Sequence, residues 1–310
     1  MTLSAAPAAG RSSWKTPPAT QSRYSNPANS PTPLLWTKQL QMGGTMPGLH
    51  EFSLDGKTAI VTGAGQGIGK GIALALAEAG ADVVVAGITV ADRSRSEADL
   101  EATADEIRLL GRSALPVVTD ARDATDVQAL IDAALAEFDS LDIMVNNAGG
   151  SFYARFPDIS EGGFEAIVRN NLKSTFLCCQ AAGAVMRERE TGVIINLSSG
   201  AAFSGSIAQP VYAATKAGIT NLTQTLAAEF APHVRVVALA PGLTDTVGMR
   251  AGYGDEAEAR VAAQAQTMAA KRLATPRDMG LACVFLASDA ASYVSGITLR
   301  VDGGGRAADD

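Results

Sequence analysis

A short β-rich run, Lys57 to Val61, breaks into Thr62-Gly63-Ala64-Gly65-Gln66-Gly67-Ile68-Gly69 and then into Gly71-Ile72-Ala73-Leu74-Ala75-Leu76-Ala77, a strong helix former stopped at Gly80. Strand, glycine turn and helix in that order commit the chain to a βα unit whose helix N-terminus faces the turn, where free backbone N–H groups cradle a diphosphate. Gly63 tightens such a turn, Gly67 admits phosphates close to the backbone, and Gly69 lets helix pack on strand. Gly63, Gly65, Gln66, Gly67, Ile68 and Gly69 are therefore the candidate nucleotide contacts. A glycine-rich turn alone is a weak signal, and the rest of the chain has to support it.

The alternation continues to the C-terminus. Strands are expected at Asp82 to Ala86, 113 to 118, Asp142 to Val145, Val193 to Leu197 and His233 to Leu239, and helices at 97 to 110, 125 to 138, 161 to 187 and 210 to 231. Residues 247 to 273 read as a charged, Ala-rich helical lid with Tyr253 in a glycine hinge. The pattern predicts an α/β fold, a doubly wound parallel sheet of about seven strands with helices on both faces, in a single domain over residues 51 to 310. With 310 residues and 47% of them apolar, there is ample material for one core.

Residues 1 to 50 stand apart. They hold seven of the 13 prolines and no apolar periodicity, the composition of a disordered extension. Arg11, Lys15, Arg23 and Lys38 with no acid also fit an organelle-import segment, and Met46 fits a start site downstream of residues that the natural protein lacks. Removing these four positive charges from the net charge of −7 leaves the body near −11, which disfavours nucleic acid and anionic membrane as partners. No apolar run approaches the ~20 residues of a membrane span. Three cysteines, two of them adjacent, and two histidines outside any motif give neither a disulfide framework nor a metal site, which suits a reducing, cytoplasmic setting.

The chemistry concentrates in residues 198 to 216. If Pro210 opens a helix, Tyr212 and Lys216 stack on one face, where a cation favours the phenolate of a residue whose usual pKa is about 10. Ser199 emerges where the apolar strand Val193 to Leu197 ends, the edge at which parallel sheets bind ligands. A Tyr-x-x-x-Lys pair by itself is more often a surface contact. Its company is what counts here: the glycine turn, Asn146-Asn147-Ala148-Gly149 after the fourth strand, and Pro241-Gly242 after the sixth.

Over about residues 54 to 305 this set, in this order, resembles the short-chain dehydrogenase/reductase family, and Ser292 to Leu299 resembles that family's closing strand. The resemblance implies an NAD(P)-dependent oxidoreductase acting on a small-molecule ketone or alcohol. Tyr212 would be the acid/base, Ser199 would bind the substrate oxygen, Lys216 would lower the phenol's pKa and hold the nicotinamide ribose, and Asn171 would hold a water behind the lysine. Asp120 and Ala121 would meet adenine, Asn147, Ala148 and Gly149 would lie along the cofactor, and Pro241, Gly242, Thr244 and Thr246 would meet the carboxamide. At the position after the second strand, where an acid would select NAD, stands Gly87; Thr89 and Arg93 tilt the choice to NADP, and Gln66 tilts it back to NAD. Ser151, Phe152, Tyr153, Phe203, Gln209 and Tyr253 are candidate substrate contacts whose aromatic share favours a hydrophobic substrate. A 3-oxoacyl thioester, a cyclic ketone, and a sugar or polyol all remain open. So does a cofactor-sensing binding protein without turnover. Surplus apolar positions on helices 161 to 187 and 210 to 231 point to a homotetramer.

Overall fold

In the computed structural model, which describes residues 50–88 and 97–305, strands and helices alternate as expected. The order is β1 (Thr58–Thr62), α1 (Gly67–Glu78), β2 (Asp82–Gly87), α2 (Glu97–Leu109), β3 (Ala114–Val118), α3 (Ala124–Phe138), β4 (Ile143–Asn146), α4 (Glu161–Val168), α5 (Ser174–Glu188), β5 (Gly192–Leu197), α6 (Pro210–Glu229), β6 (Val234–Pro241), α7 (Val247–Tyr253), α8 (Ala257–Thr267), α9 (Pro276–Ala287) and β7 (Thr298–Val301). The sheet has seven strands in the order β3-β2-β1-β4-β5-β6-β7, every neighbouring pair parallel. The expectations for residues 1–49, and for Thr89 and Arg93, fall outside the described residues.

Period-two alternation assigns the strand side chains to two cores. Ala59, Val61, Val83, Val85, Ile143 and Val145 face α1, α2 and α9, where Ile72, Leu76, Ile107, Met279 and Leu286 complete one cluster. Ile60, Val84, Met144, Ile194 and Val236 face the opposite way, onto Leu130 and Ile131 of α3 and Cys178, Ala182 and Met186 of α5. Because both faces are covered, the central strands read as continuous apolar runs, and β1 is buried along its whole length.

Three expected elements differ in detail. The helix expected over 161–187 is interrupted by a π-turn, Arg169–Lys173, between α4 and α5. The Asn171 Nδ2 donates to the Ile167 carbonyl at 2.9 Å, and the Ser174 hydroxyl lies 2.9 and 3.0 Å from the carbonyl oxygens of Asn170 and Asn171, so polar side chains cover groups that the wider turn releases. The lid segment is two helices, broken at Gly254, whose φ of 56° no ordinary helical residue adopts. The closing strand shrinks to Thr298–Val301, because Ser292 and Val294 are used in turns and Gly296 takes a φ of 73°.

The tightest helix contact is α1 on α9. A Cβ on Gly280 would lie 2.5 Å from the Gly71 carbonyl oxygen and 2.6 Å from the Ala75 Cβ. Gly280→Val is expected to cost about 1–3 kcal/mol by overpacking this crossing. Urea denaturation checks it, and an unchanged midpoint would show that the two helices have room to separate.

Candidate active site

Chain order reverses between β1 and β4: β1 continues to β2 and β3 on one side, and β4 begins the other side. Such a switch leaves a crevice beyond the strand ends, and here it is framed by hydrogen bonds from two side chains. The Thr62 hydroxyl donates to the Val145 carbonyl (3.2 Å) and accepts from the Asn147 and Ala148 amides (3.1 and 3.0 Å). The Asn147 Nδ2 donates to the carbonyls of Thr62 (2.8 Å) and Gly63 (3.2 Å). The glycine turn and the Asn147–Gly149 turn are thereby held side by side. There is no space for larger residues: a Cβ on Gly69 would lie 2.2 Å from the Gly63 oxygen, and Gly63 itself has a φ of 68°. Gln66 is the N-cap of α1, so the first amides of that helix open onto the crevice. A Cβ on Gly67 would lie 3.6 Å from Thr246, which caps α7 through its hydroxyl, so the start of the lid lies against the cradle. A diphosphate fits this geometry, with main-chain amides and the α1 dipole as its partners.

Tyr212, Lys216 and Ser199 meet at the carboxyl end of β5. Pro210 does open α6, which brings the Lys216 Nζ to 5.5 Å from the centroid of the Tyr212 ring. Lys216 is buried, and its Nζ donates to the Leu197 carbonyl at 2.6 Å. With no carboxylate to offset it, burial lowers its pKa to about 8. Burial also pushes the Tyr212 phenol above its ordinary value, a hydrogen bond with Ser199 pulls it down, and the nearby Tyr153 phenol pushes it up. The expectation that Lys216 lowers the phenol's pKa therefore does not describe the protein by itself. Ser199 caps the short turn Gly200–Phe203, its hydroxyl accepting from the Ala201 amide at 3.2 Å.

Asn171 is fully buried in the π-turn. Its Nδ2 donates to the carbonyls of Gly150 (2.8 Å) and Ile167 (2.9 Å), while its Oδ1 accepts no hydrogen bond among the described residues. Pro241 ends β6, the Gly242 amide donates to the Val301 carbonyl at 2.9 Å, and Thr244 is buried with its hydroxyl donating to the Gly242 carbonyl at 3.0 Å.

The remaining candidates divide. Ser151 and Gln209 are brought together, the amide of Gln209 donating to the Ser151 hydroxyl at 3.0 Å, with Phe152 and Tyr153 beside them. Asp120 is engaged by Arg122, whose Nε and Nη2 donate to its two oxygens at 2.7 Å and hold its carboxyl below the usual range, while Ala121 is buried next to it. Tyr253 belongs to the lid, its hydroxyl accepting from the Gln264 amide at 2.6 Å. Sequence reasoning missed Arg122, which also reaches Asn170 at 3.2 Å, although its position two residues after Asp120 was a usable signal. It also missed Arg300 of β7, whose guanidinium lies 5.5 Å from the Phe203 ring centroid, and no local pattern announces a contact across that separation.

Comparisons with known proteins agree with this geometry. Residues 63–305 match the family model described as enoyl-(acyl carrier protein) reductase. A 2-dehydro-3-deoxy-D-gluconate 5-dehydrogenase of Escherichia coli (strain K12) is 38% identical over 258 residues, covering 83% of this chain and 98% of that protein. Among solved structures, a 7α-hydroxysteroid dehydrogenase complexed with NADH and 7-oxo glycochenodeoxycholic acid is 36% identical with a TM-score of 0.76, covering 84% of this chain and 98% of its own. A short-chain type dehydrogenase/reductase from Mycobacterium marinum is 34% identical with a TM-score of 0.74, covering 83% of this chain and 98% of its own. Sequence motifs, sheet order and site geometry converge with these matches: the chain belongs to the short-chain dehydrogenase/reductase family of NAD(P)-dependent oxidoreductases.

Proposed function

We propose that this protein catalyses hydride transfer between the nicotinamide of NAD(P) and a carbonyl or secondary-alcohol carbon, with Tyr212 as the proton donor and acceptor. The observation that carries this reading is the meeting of Tyr212, Ser199 and buried Lys216 beside the glycine cradle. The cofactor, when bound, supplies or accepts the hydride. Every proton is handled by the chain. In reduction, a phenol whose pKa is raised keeps its proton until the substrate oxygen takes it, and Ser199 donates a hydrogen bond to the same oxygen. In oxidation the phenol has to ionise, and the ammonium 5.5 Å from its ring is the cation that favours this. Asn171 Oδ1, buried and without a donor among the described residues, is the acceptor that would hold a water of the relay.

NADP is the preferred cofactor in this reading, since the chain has Gly87 and Ile88 rather than an acid where β2 ends. Residues 51–310 form the working domain, and the extension before them is dispensable. The assembly is a homotetramer. A groove of about 370 Å³ between α5 and α6, lined by Phe176, Gly183, Leu222 and Leu226 among others, supports self-association through that helix pair. A cytoplasmic location goes with three free, buried cysteines. A 3-oxoacyl thioester reductase is the second reading, favoured by the similarity, 36% identity over 249 residues, to a 3-oxoacyl-[acyl-carrier-protein] reductase of Staphylococcus aureus (strain Mu50 / ATCC 700699).

Tyr212→Phe is expected to reduce kcat to less than a tenth while cofactor affinity stays close to the parent's, and Ser199→Ala to cost about a hundredfold, both followed by nicotinamide absorbance. Turnover of Tyr212→Phe above that tenth removes Tyr212 from the acid/base role. Lys216 gives a test by pH. Its folded pKa of about 8 lies below the ordinary 10.5, so the unfolded chain binds the proton more tightly, and the burial penalty is complete below about 8 and fades as pH rises toward 10.5. Lys216→Met should therefore stabilise the fold at pH 7, by up to about 3 kcal/mol, with the gain shrinking above pH 8. A gain that does not vary with pH would contradict a buried ammonium. Leu226→Glu should split the assembly measured by light scattering, and a parent protein of monomer mass at micromolar concentration would refute the tetramer.

A further inference from the structure

We infer that the substrate is a carbonyl compound whose body beyond the reacting carbon is apolar, a ring system or a chain of several methylenes, rather than a hydroxylated sugar acid or polyol. The inference rests on the oxidoreductase reading above and concerns the same site. Apolar side chains crowd the rim around Tyr212 and remain open to solvent: Tyr153 is 74% exposed, Phe156 74%, Phe203 47% and Ile207 84%. They belong to one surface. The Ala154 amide donates to the Ala208 carbonyl at 2.9 Å and Gln209 bonds Ser151 at 3.0 Å, so the stretches 151–157 and 204–209 are tied together just before α6, three residues short of Tyr212. Phe203 ends the turn that Ser199 caps, and the Tyr153 phenol is near enough to Tyr212 to help raise its pKa.

Exposed aromatic groups are normally loose, but part of this rim is braced. The Arg300 guanidinium sits over the Phe203 ring and is itself fixed on Asp302, its Nε donating at 2.9 Å. A wall held in place before the ligand arrives loses little entropy on binding. Two cations near the rim are already engaged: Arg300 on Asp302, and Arg250 on Asp245 and Glu258. Arg155 is the one charged side chain in residues 151–157, and it is exposed. Along Tyr153, Phe156, Phe203 and Ile207 a hydroxylated chain would lose water without gaining donors, whereas each methylene buried there improves binding about three- to fourfold.

The experiment compares kcat/KM of the full chain, with NADPH and NADH, over cyclic and straight-chain ketones of increasing size and over keto acids of hydroxylated six-carbon chains. We expect kcat/KM to climb severalfold per methylene through a lower KM. Phe203→Ala and Ile207→Ser should flatten that climb, Arg300→Ala should do so partly with Arg300→Lys restoring it, and Arg155→Ala should leave the ketone series unaltered. Turnover confined to hydroxylated keto acids, with loss on Arg155→Ala, overturns this inference and leaves the reaction class standing. A size series that Phe203→Ala and Ile207→Ser do not alter also overturns it. Absence of nicotinamide turnover with every compound overturns both readings.

Discussion

The Thr62 hydroxyl is the contact on which the site depends. An all-parallel sheet whose strand order reverses leaves two strand ends with backbone groups that no ladder serves. At this switch one hydroxyl donates to β4 and accepts from the two amides after it, and Asn147 returns the contact to β1. The crevice stays open for a ligand while its walls are tied. Gly63, Gly69 and Asn147 then pack so closely that no side chain fits at either glycine, which leaves main chain exposed between the two turns. Main-chain amides suit phosphates, which need donors and a favourable dipole.

The other half of the site is electrostatic, and its two ionisable groups are shifted in opposite directions by the same cause. Burial raises the phenol of Tyr212 and lowers the ammonium of Lys216, so the protein alone penalises the charged form of each, although a lysine with a pKa of about 8 still holds its proton at pH 7. Bringing a phenol from about 10 to neutrality takes roughly 4 kcal/mol, far more than the 0.2–1 kcal/mol of an exposed ion pair. Lys216, buried and 5.5 Å from the ring centroid, meets less screening by water than an exposed pair does. The burial that penalises both charges is therefore what makes one charge count, and the Ser199 hydrogen bond works in the same direction.

The cofactor half was legible in the sequence because it is made of backbone: glycine spacing reports where chains must approach, and Asn147 follows its strand directly. The sheet was equally legible, since strands buried on both faces write long apolar runs into the chain. What escaped was decided by side chains meeting over distance. The π-turn depends on Asn171 reaching back to Ile167 and Ser174 to Asn170, and an Asn-Asn pair within a helical pattern only hints at it. The opposing pKa shifts of Tyr212 and Lys216 could not be read from a four-residue spacing, which gives proximity but not depth.

The lid connects the two halves. Its segment leaves the sheet after β6 and returns through a bridge between Thr244 and Ala274, with the Asp245 amide donating to the Ala274 carbonyl at 2.8 Å, so both its ends are fixed at one place. Just beyond that place Thr246 lies against Gly67 of the cradle, and a Cβ on Gly248 would lie 3.8 Å from the Gln66 side-chain nitrogen. Farther out, Arg250 pairs with Asp245 at 2.6 Å and with Glu258 at 2.9 Å, joining α7 to α8. The base of this pair of helices is thus held to the sheet and touches the glycine turn. A ligand held at the first turn of α1 would therefore bear directly on that base, because Thr246 and Gly248 already pack against Gly67 and Gln66.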